Sequence, residues 1–115
     1  MSDPVESQLY DAARDDRVSE VSSLLRDHPG IDVNWTTSDH RSPLHVASYN
    51  GHVEVVEPLL AHPHINVNVK DIFGKTPLSL SCFGGQVSAV RLLLKDPRVD
   101  VSLDDDWGYT PLGML

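Results

Sequence analysis

The residues here with the chemistry to hold a metal or attack a substrate are six histidines and a single cysteine, Cys82. The one close histidine pair, His62-Pro63-His64, has no carboxylate or thiol beside it. A metal site needs three or four convergent ligands, so the pair reads as a solvated loop and no metal is expected. Cys82 has no second cysteine with which to form an internal disulfide. Gly84-Gly85 lacks the flanking pattern of a phosphate-cradling loop and reads as a helix-ending turn. These residues supply no catalytic set and ask for no cofactor, so the chain is not expected to be an enzyme.

Charge narrows the partner. Nine basic and 17 acidic residues give a formal net charge of −8. Nucleic acid and anionic membranes both select basic surfaces, so neither is expected as a partner. The N-terminus has no basic start followed by an apolar run, and no stretch approaches the length of a membrane span. With one cysteine and no export signal, a reducing cytoplasmic or nuclear location is expected, and the sequon Asn34-Trp35-Thr36 carries little weight. A length of 115 residues, 40% hydrophobic and 23% charged, suits one folded unit.

The elements that position these residues repeat. Ser42-Pro43-Leu44, Thr76-Pro77-Leu78 and Thr110-Pro111-Leu112 recur every 34 residues. Ile31-Asp32-Val33-Asn34, Ile65-Asn66-Val67-Asn68 and Val99-Asp100-Val101-Ser102 share that register. A fixed period of this length signals stacked supersecondary units. In each unit a Ser or Thr before Pro predicts a capped helix start. Small residues follow, Ala47-Ser48 and Ser81-Cys82, where neighbouring helices must approach closely. Gly51 and Gly85 predict a left-handed turn, and helically spaced apolar residues after it predict a second helix.

On these motifs the chain resembles the ankyrin repeat. Ser42-Pro43-Leu44-His45, Gly51-His52, Asp71-Ile72-Phe73-Gly74-Lys75-Thr76-Pro77 and Asp105-Asp106-Trp107-Gly108-Tyr109-Thr110-Pro111 match the family pattern. The resemblance implies an all-α solenoid of helix-turn-helix units joined by hairpin loops. The units are expected at 1–34 (an N-terminal capping repeat), 35–68, 69–102, and an incomplete fourth at 103–115. It also implies that His45 and His52 tie neighbouring turns together by hydrogen bonds. Asp16 stands in the row of Gly51 and Gly85, where a left-handed residue costs more. Pro58 falls inside a second helix, which predicts a kink or a weak repeat at a cost of about 3 kcal/mol. The fourth unit ends about one turn into its first helix, so a fragment of a longer repeat protein is expected. Its apolar C-terminal flank is then open to association with a partner.

In this family the positions free for binding are the hairpin tips and the exposed side of the first helix, which form a concave face. Carried onto this sequence they are Arg14 and Asp15; Ser38, Asp39, Arg41, Tyr49 and Asn50; Ile72, Phe73, Lys75, Phe83 and Gly84; and Asp106, Trp107 and Tyr109. The chain has two Trp, three Tyr and two Phe, and all but Tyr10 and Trp35 fall at these positions. Rigid amphipathic rings dominate binding hot spots, so this face is the expected protein-binding surface. The acidic run Asp104-Asp105-Asp106, with Asp39 and Asp71, predicts a basic partner whose apolar anchors are flanked by Lys or Arg. A spacer role within a longer solenoid is the alternative. The resemblance further marks Asn68, eight residues after Leu60, as a candidate for hydroxylation.

Overall fold

The computed structural model describes residues 4–114, without the side chain of Met114. Met1–Asp3 and Leu115, the extremes of the first and fourth expected units, lie outside the described residues. Six α-helices follow one another: α1 (Val5–Arg14), α2 (Val18–Asp27), α3 (Pro43–Tyr49), α4 (Val53–Ala61), α5 (Pro77–Phe83) and α6 (Val87–Lys95), with a 3-10 turn at Leu112–Met114. Among the described residues there is no strand.

Local sequence sets each boundary. The Ser42 hydroxyl accepts the His45 N–H and Pro43 opens α3, while Thr76 and Pro77 do the same for α5 through the Ser79 N–H. Gly51 and Gly85, at φ +72° and +68°, reverse the chain into α4 and α6. Asp16 takes the same left-handed conformation, at φ +58°, between α1 and α2. The first unit thus keeps the turn of the others without its glycine.

Helices α1, α3 and α5 pack side by side as an inner row, and α2, α4 and α6 form an outer row behind them. The inner row is the more intimate because Ala47, Ser48, Ser81 and Cys82 are small and buried at its contacts. Leu9, Leu44, Val55, Val56, Leu59, Leu78 and Leu93 fill the space between rows. The result is elongated, 41 × 26 × 23 Å, as stacking in one direction requires.

α4 runs as α-helix from Val53 to Ala61 with Pro58 inside it. One backbone bond is given up, and the carbonyl that loses it belongs to Glu54 on the exposed side, where solvent can serve it. On the outer edge, asparagines bridge the loops. Asn34 donates to the His64 carbonyl at 2.8 Å and accepts the Asn66 N–H, and Asn68 repeats this with Arg98 (2.9 Å) and Asp100. The Asn68 side chain is therefore engaged at both of its polar atoms.

Candidate functional site

The inner face is built from three hairpins and the helices beneath them. The hairpins, 37–41, 71–75 and 105–109, close by backbone bonds from Thr37, Asp71 and Asp105 to the carbonyls of Arg41, Lys75 and Tyr109. They are also stitched to one another, since the Ile72 N–H reaches the Asp39 carbonyl and the Asp106 N–H the Phe73 carbonyl, both at 3.0 Å. A buried aspartate organises each of the last two. Asp71 Oδ1 accepts the N–H groups of Phe73 and Lys75, and Asp105 Oδ1 those of Trp107 and Tyr109.

The second oxygen of each carboxylate faces the preceding hairpin. Arg41 Nε lies 3.3 Å from Asp71 Oδ2, and Lys75 Nζ donates to Asp105 Oδ2 at 2.7 Å. Both carboxylates are fully buried. Burial pushes the Asp105 carboxyl upward, but its bonds from Lys75 and the Tyr109 and Trp107 N–H groups outweigh that and hold it below the usual range. Asp105 is therefore a structural carboxylate rather than part of a solvated acidic run. Sequence reading missed this, because the partner that buries Asp105, Lys75, lies 30 residues earlier in the preceding hairpin.

The aromatic residues assemble into two stacked pairs. Tyr49 on α3 and Phe83 on α5 have centroids 6.4 Å apart at 24°, and Phe73 and Trp107 on successive hairpins are 5.7 Å apart at 29°. Each ring keeps much of its area in solvent: Tyr49 38%, Phe73 46%, Phe83 59% and Trp107 61%. Gly84 permits the helix pair to close, because a Cβ there would stand 2.7 Å from the Tyr49 carbonyl. Tyr10 and Trp35, the two aromatics outside this face, pack edge to face with each other.

Lys75 joins the two ring pairs. Its Nζ sits 5.3 Å from the Phe83 centroid and 5.5 Å from that of Trp107. Instead of projecting to solvent, as its expected binding role would require, it is buried against its own chain. Arg41 is likewise half-buried on Asp71. Ser38, Asp39, Ile72, Asp106 and Tyr109 are exposed around the rings, and Asn50 is half-exposed with a long 3.5 Å bond to the Arg14 carbonyl. Arg14 pairs with Asp15 and Asp11. Among the described residues, Asp39, Asp104 and Asp106 make no ion pair, although Lys70 Nζ lies on the Asp104 carbonyl.

The histidines serve the framework. His45 Nδ1 accepts the Ser42 N–H at 3.0 Å, which leaves Nε2–H to donate to the Lys75 carbonyl at 2.9 Å. His52 Nε2 lies 3.0 Å from the Arg14 carbonyl, tying the first unit to the second. Both roles are those the resemblance implied. At His62 and His64 the rings are 5.8 Å apart, and the His64 N–H donates to His62 Nδ1. Among the described residues, no three His, Cys, Asp or Glu side chains are grouped to hold a metal ion. Cys82 is buried, and burial raises its thiol pKa, which leaves it an unreactive small core residue. It borders an apolar opening of about 230 Å³ on the C-terminal flank, with Val87, Val90 and Arg91. Among the described residues no helix is long and apolar enough to cross a membrane.

Comparison with known proteins agrees with this architecture. A family model described as ankyrin repeats (many copies) matches residues 24–81 and again 59–114. Over 59 residues the chain is 41% identical to ankyrin repeat domain-containing protein 49 of Bos taurus, a stretch that is 51% of this chain and 24% of that relative. The chain thus spans about a quarter of the length of the relative it matches. With family matches over most of its residues, on a stack of paired helices and linked hairpins, the chain belongs to the ankyrin-repeat family.

Proposed function

We propose that this chain is a protein-interaction module that binds a protein or peptide partner through its inner, concave face. Ankyrin repeats generally act as protein-interaction modules. The observation that carries the reading for this chain is the exposed aromatic stripe of Tyr49, Phe83, Phe73 and Trp107, flanked by Ile72 and Tyr109. Apolar rings left in water at positions the framework does not need are costly surface unless a partner covers them. The rings stack in pairs, and each pair contributes about 0.5–1.5 kcal/mol to the solenoid. That contribution leaves between a third and two thirds of each ring unused. The partner that fits carries apolar anchors flanked by Lys or Arg, because Asp39 and Asp106 edge the stripe without ion pairs of their own.

The test is to replace Tyr49, Phe73 and Phe83 by Ala together and measure both folding and partner capture. The expected outcome is a folded helical protein, destabilised by about 1–3 kcal/mol, that no longer retains partners held by the parent chain. A control with Ser88 and Arg91 of the outer row replaced by Ala should retain them. Equal capture by the parent and the triple variant would overturn the reading.

A second reading, a spacer segment within a longer solenoid, is favoured by one observation. Val87 (60% exposed) borders the apolar opening at Cys82, and Leu94 (42%) and Val101 (41%) are further exposed apolar residues of the last full unit, suited to a neighbouring repeat or partner. In that case the triple variant loses stability but changes no interaction.

A further inference from the structure

The inner face holds a cation already, and it shows what chemistry the stripe recognises. Lys75 Nζ lies between Phe83 and Trp107 with a carboxylate oxygen of Asp105 at 2.7 Å. Two electron-rich ring faces and an aspartate therefore cradle an ammonium within this surface. The same elements recur on its open side. Phe83 and Trp107 remain 59% and 61% exposed after stacking on Tyr49 and Phe73, and Asp39 and Asp106 of the neighbouring hairpins make no ion pair among the described residues. The native cations that could neutralise them are spent elsewhere: Arg14 on Asp15 and Asp11, Arg41 on Asp71, Lys75 on Asp105. A net charge of −8 adds a long-range pull in the same direction.

Resting on the reading of this face as the binding surface, we infer that the stripe takes an extended basic segment of a partner protein, whose arginine or lysine heads lie against the exposed ring surface and meet Asp39 and Asp106. Arginine suits the site best, because its planar head stacks on a ring while its edge bonds a carboxylate. An apolar side chain alone would cover the rings but leave the two aspartates to be desolvated without partners.

The experiment titrates three octapeptides into isotopically labelled full-length chain at low ionic strength: arginine alternating with serine, the same peptide with neutral citrulline for arginine, and leucine alternating with serine. The indole N–H of the exposed Trp107 is followed by NMR. The arginine peptide should shift that signal and bind about tenfold more tightly than the citrulline peptide, the worth of one or two cation–ring contacts. Replacing Phe83 and Trp107 by Leu, which keeps apolar bulk but removes the ring faces, should lower its affinity by a similar factor, read from the remaining amide shifts. Asp39→Asn with Asp106→Asn leaves the rings in place and guards against a folding defect in the ring variant. It should weaken the arginine peptide several-fold and leave the leucine peptide unchanged.

If arginine and citrulline peptides bind alike while the leucine peptide also binds and shifts the Trp107 signal, the cation inference fails and the surface reading stands. If the arginine peptide binds with no shift of Trp107 and no loss in either variant, both fail.

Discussion

His40 occupies the hairpin position that Gly74 and Gly108 fill in the next two units, and all three are left-handed, at φ +59°, +77° and +81°. For a residue with a Cβ that conformation costs roughly 1–2 kcal/mol. Glycine removes the strain but has more freedom to lose on folding, which returns about 0.5–1 kcal/mol. The His40 side chain is exposed and its backbone N–H bonds the Thr37 carbonyl, an interaction glycine keeps. His40→Gly should therefore stabilise the fold by about 0.5–1 kcal/mol in urea unfolding. A loss of stability would show that the ring makes contacts worth more than its backbone strain. Asp16 could be read as strained in advance because it lines up with Gly51 and Gly85. The buried state of Asp71 and Asp105 could not, since charge in a run reads as solvated until the preceding hairpin brings Arg41 or Lys75 against it. For the same reason Lys75 looked free. Pairing across units joins residues 30 apart, which no local pattern displays.

At the scale of elements, helix starts and turns were legible because each has a local cause: Ser42 or Thr76 before Pro, then Gly51 or Gly85. Pro58 was legible too, and the helix that contains it is continuous. Proline removes one bond within α4, whereas Val55, Val56 and Leu59 anchor the same helix in the core. Packing holds the helix where propensity opposes it. Pro58→Ala should restore the bond to the Glu54 carbonyl, with some loss from the half-buried ring. The net expectation is a gain of about 1–2 kcal/mol, a rise of roughly 4–8 °C in thermal midpoint by calorimetry. An unchanged or lower midpoint would mean that the ring's packing outweighs the missing bond. The ring pairs lay between these levels. Their places were legible from the repeat register, but not that Tyr49 meets Phe83 while Phe73 meets Trp107.

For the whole molecule, stability depends on how each unit is fastened to the next. At the second junction two fasteners act together: Arg41 on Asp71, and His45 from α3 to the Lys75 carbonyl. At the third, Ser79 replaces His45 and its buried hydroxyl finds no partner among the described residues. The Lys75–Asp105 pair is joined there by the Asp106 N–H bond to the Phe73 carbonyl and by Lys70 on the Asp104 carbonyl. This asymmetry gives the fold a pH dependence. Burial lowers the His45 pKa below its ordinary value, with Arg41 acting in the same direction and the Lys75 carbonyl and Asp71 against it. In the unfolded chain the ring titrates near about 6.5. Just below that pH the unfolded chain takes up a proton that the folded chain refuses, because protonating Nδ1 would break its bond from the Ser42 N–H. The His45 contribution is therefore complete above about pH 6.5 and declines as pH falls towards the folded value, by at most about 1.4 kcal/mol per pH unit. The carboxyls of Asp96 and Asp105, whose pKa values are held below the usual range, keep their contributions through that interval and lose them only at more acidic pH, below about 4. His45→Gln can accept from Ser42 and donate to Lys75 without titrating. Urea unfolding from pH 7.5 to 5 should show the parent chain weakening and this variant, though less stable at pH 7.5, following a flatter course. Parallel curves would mean that another group sets the acid limb and that the His45 bridge does not couple the second hairpin to protonation.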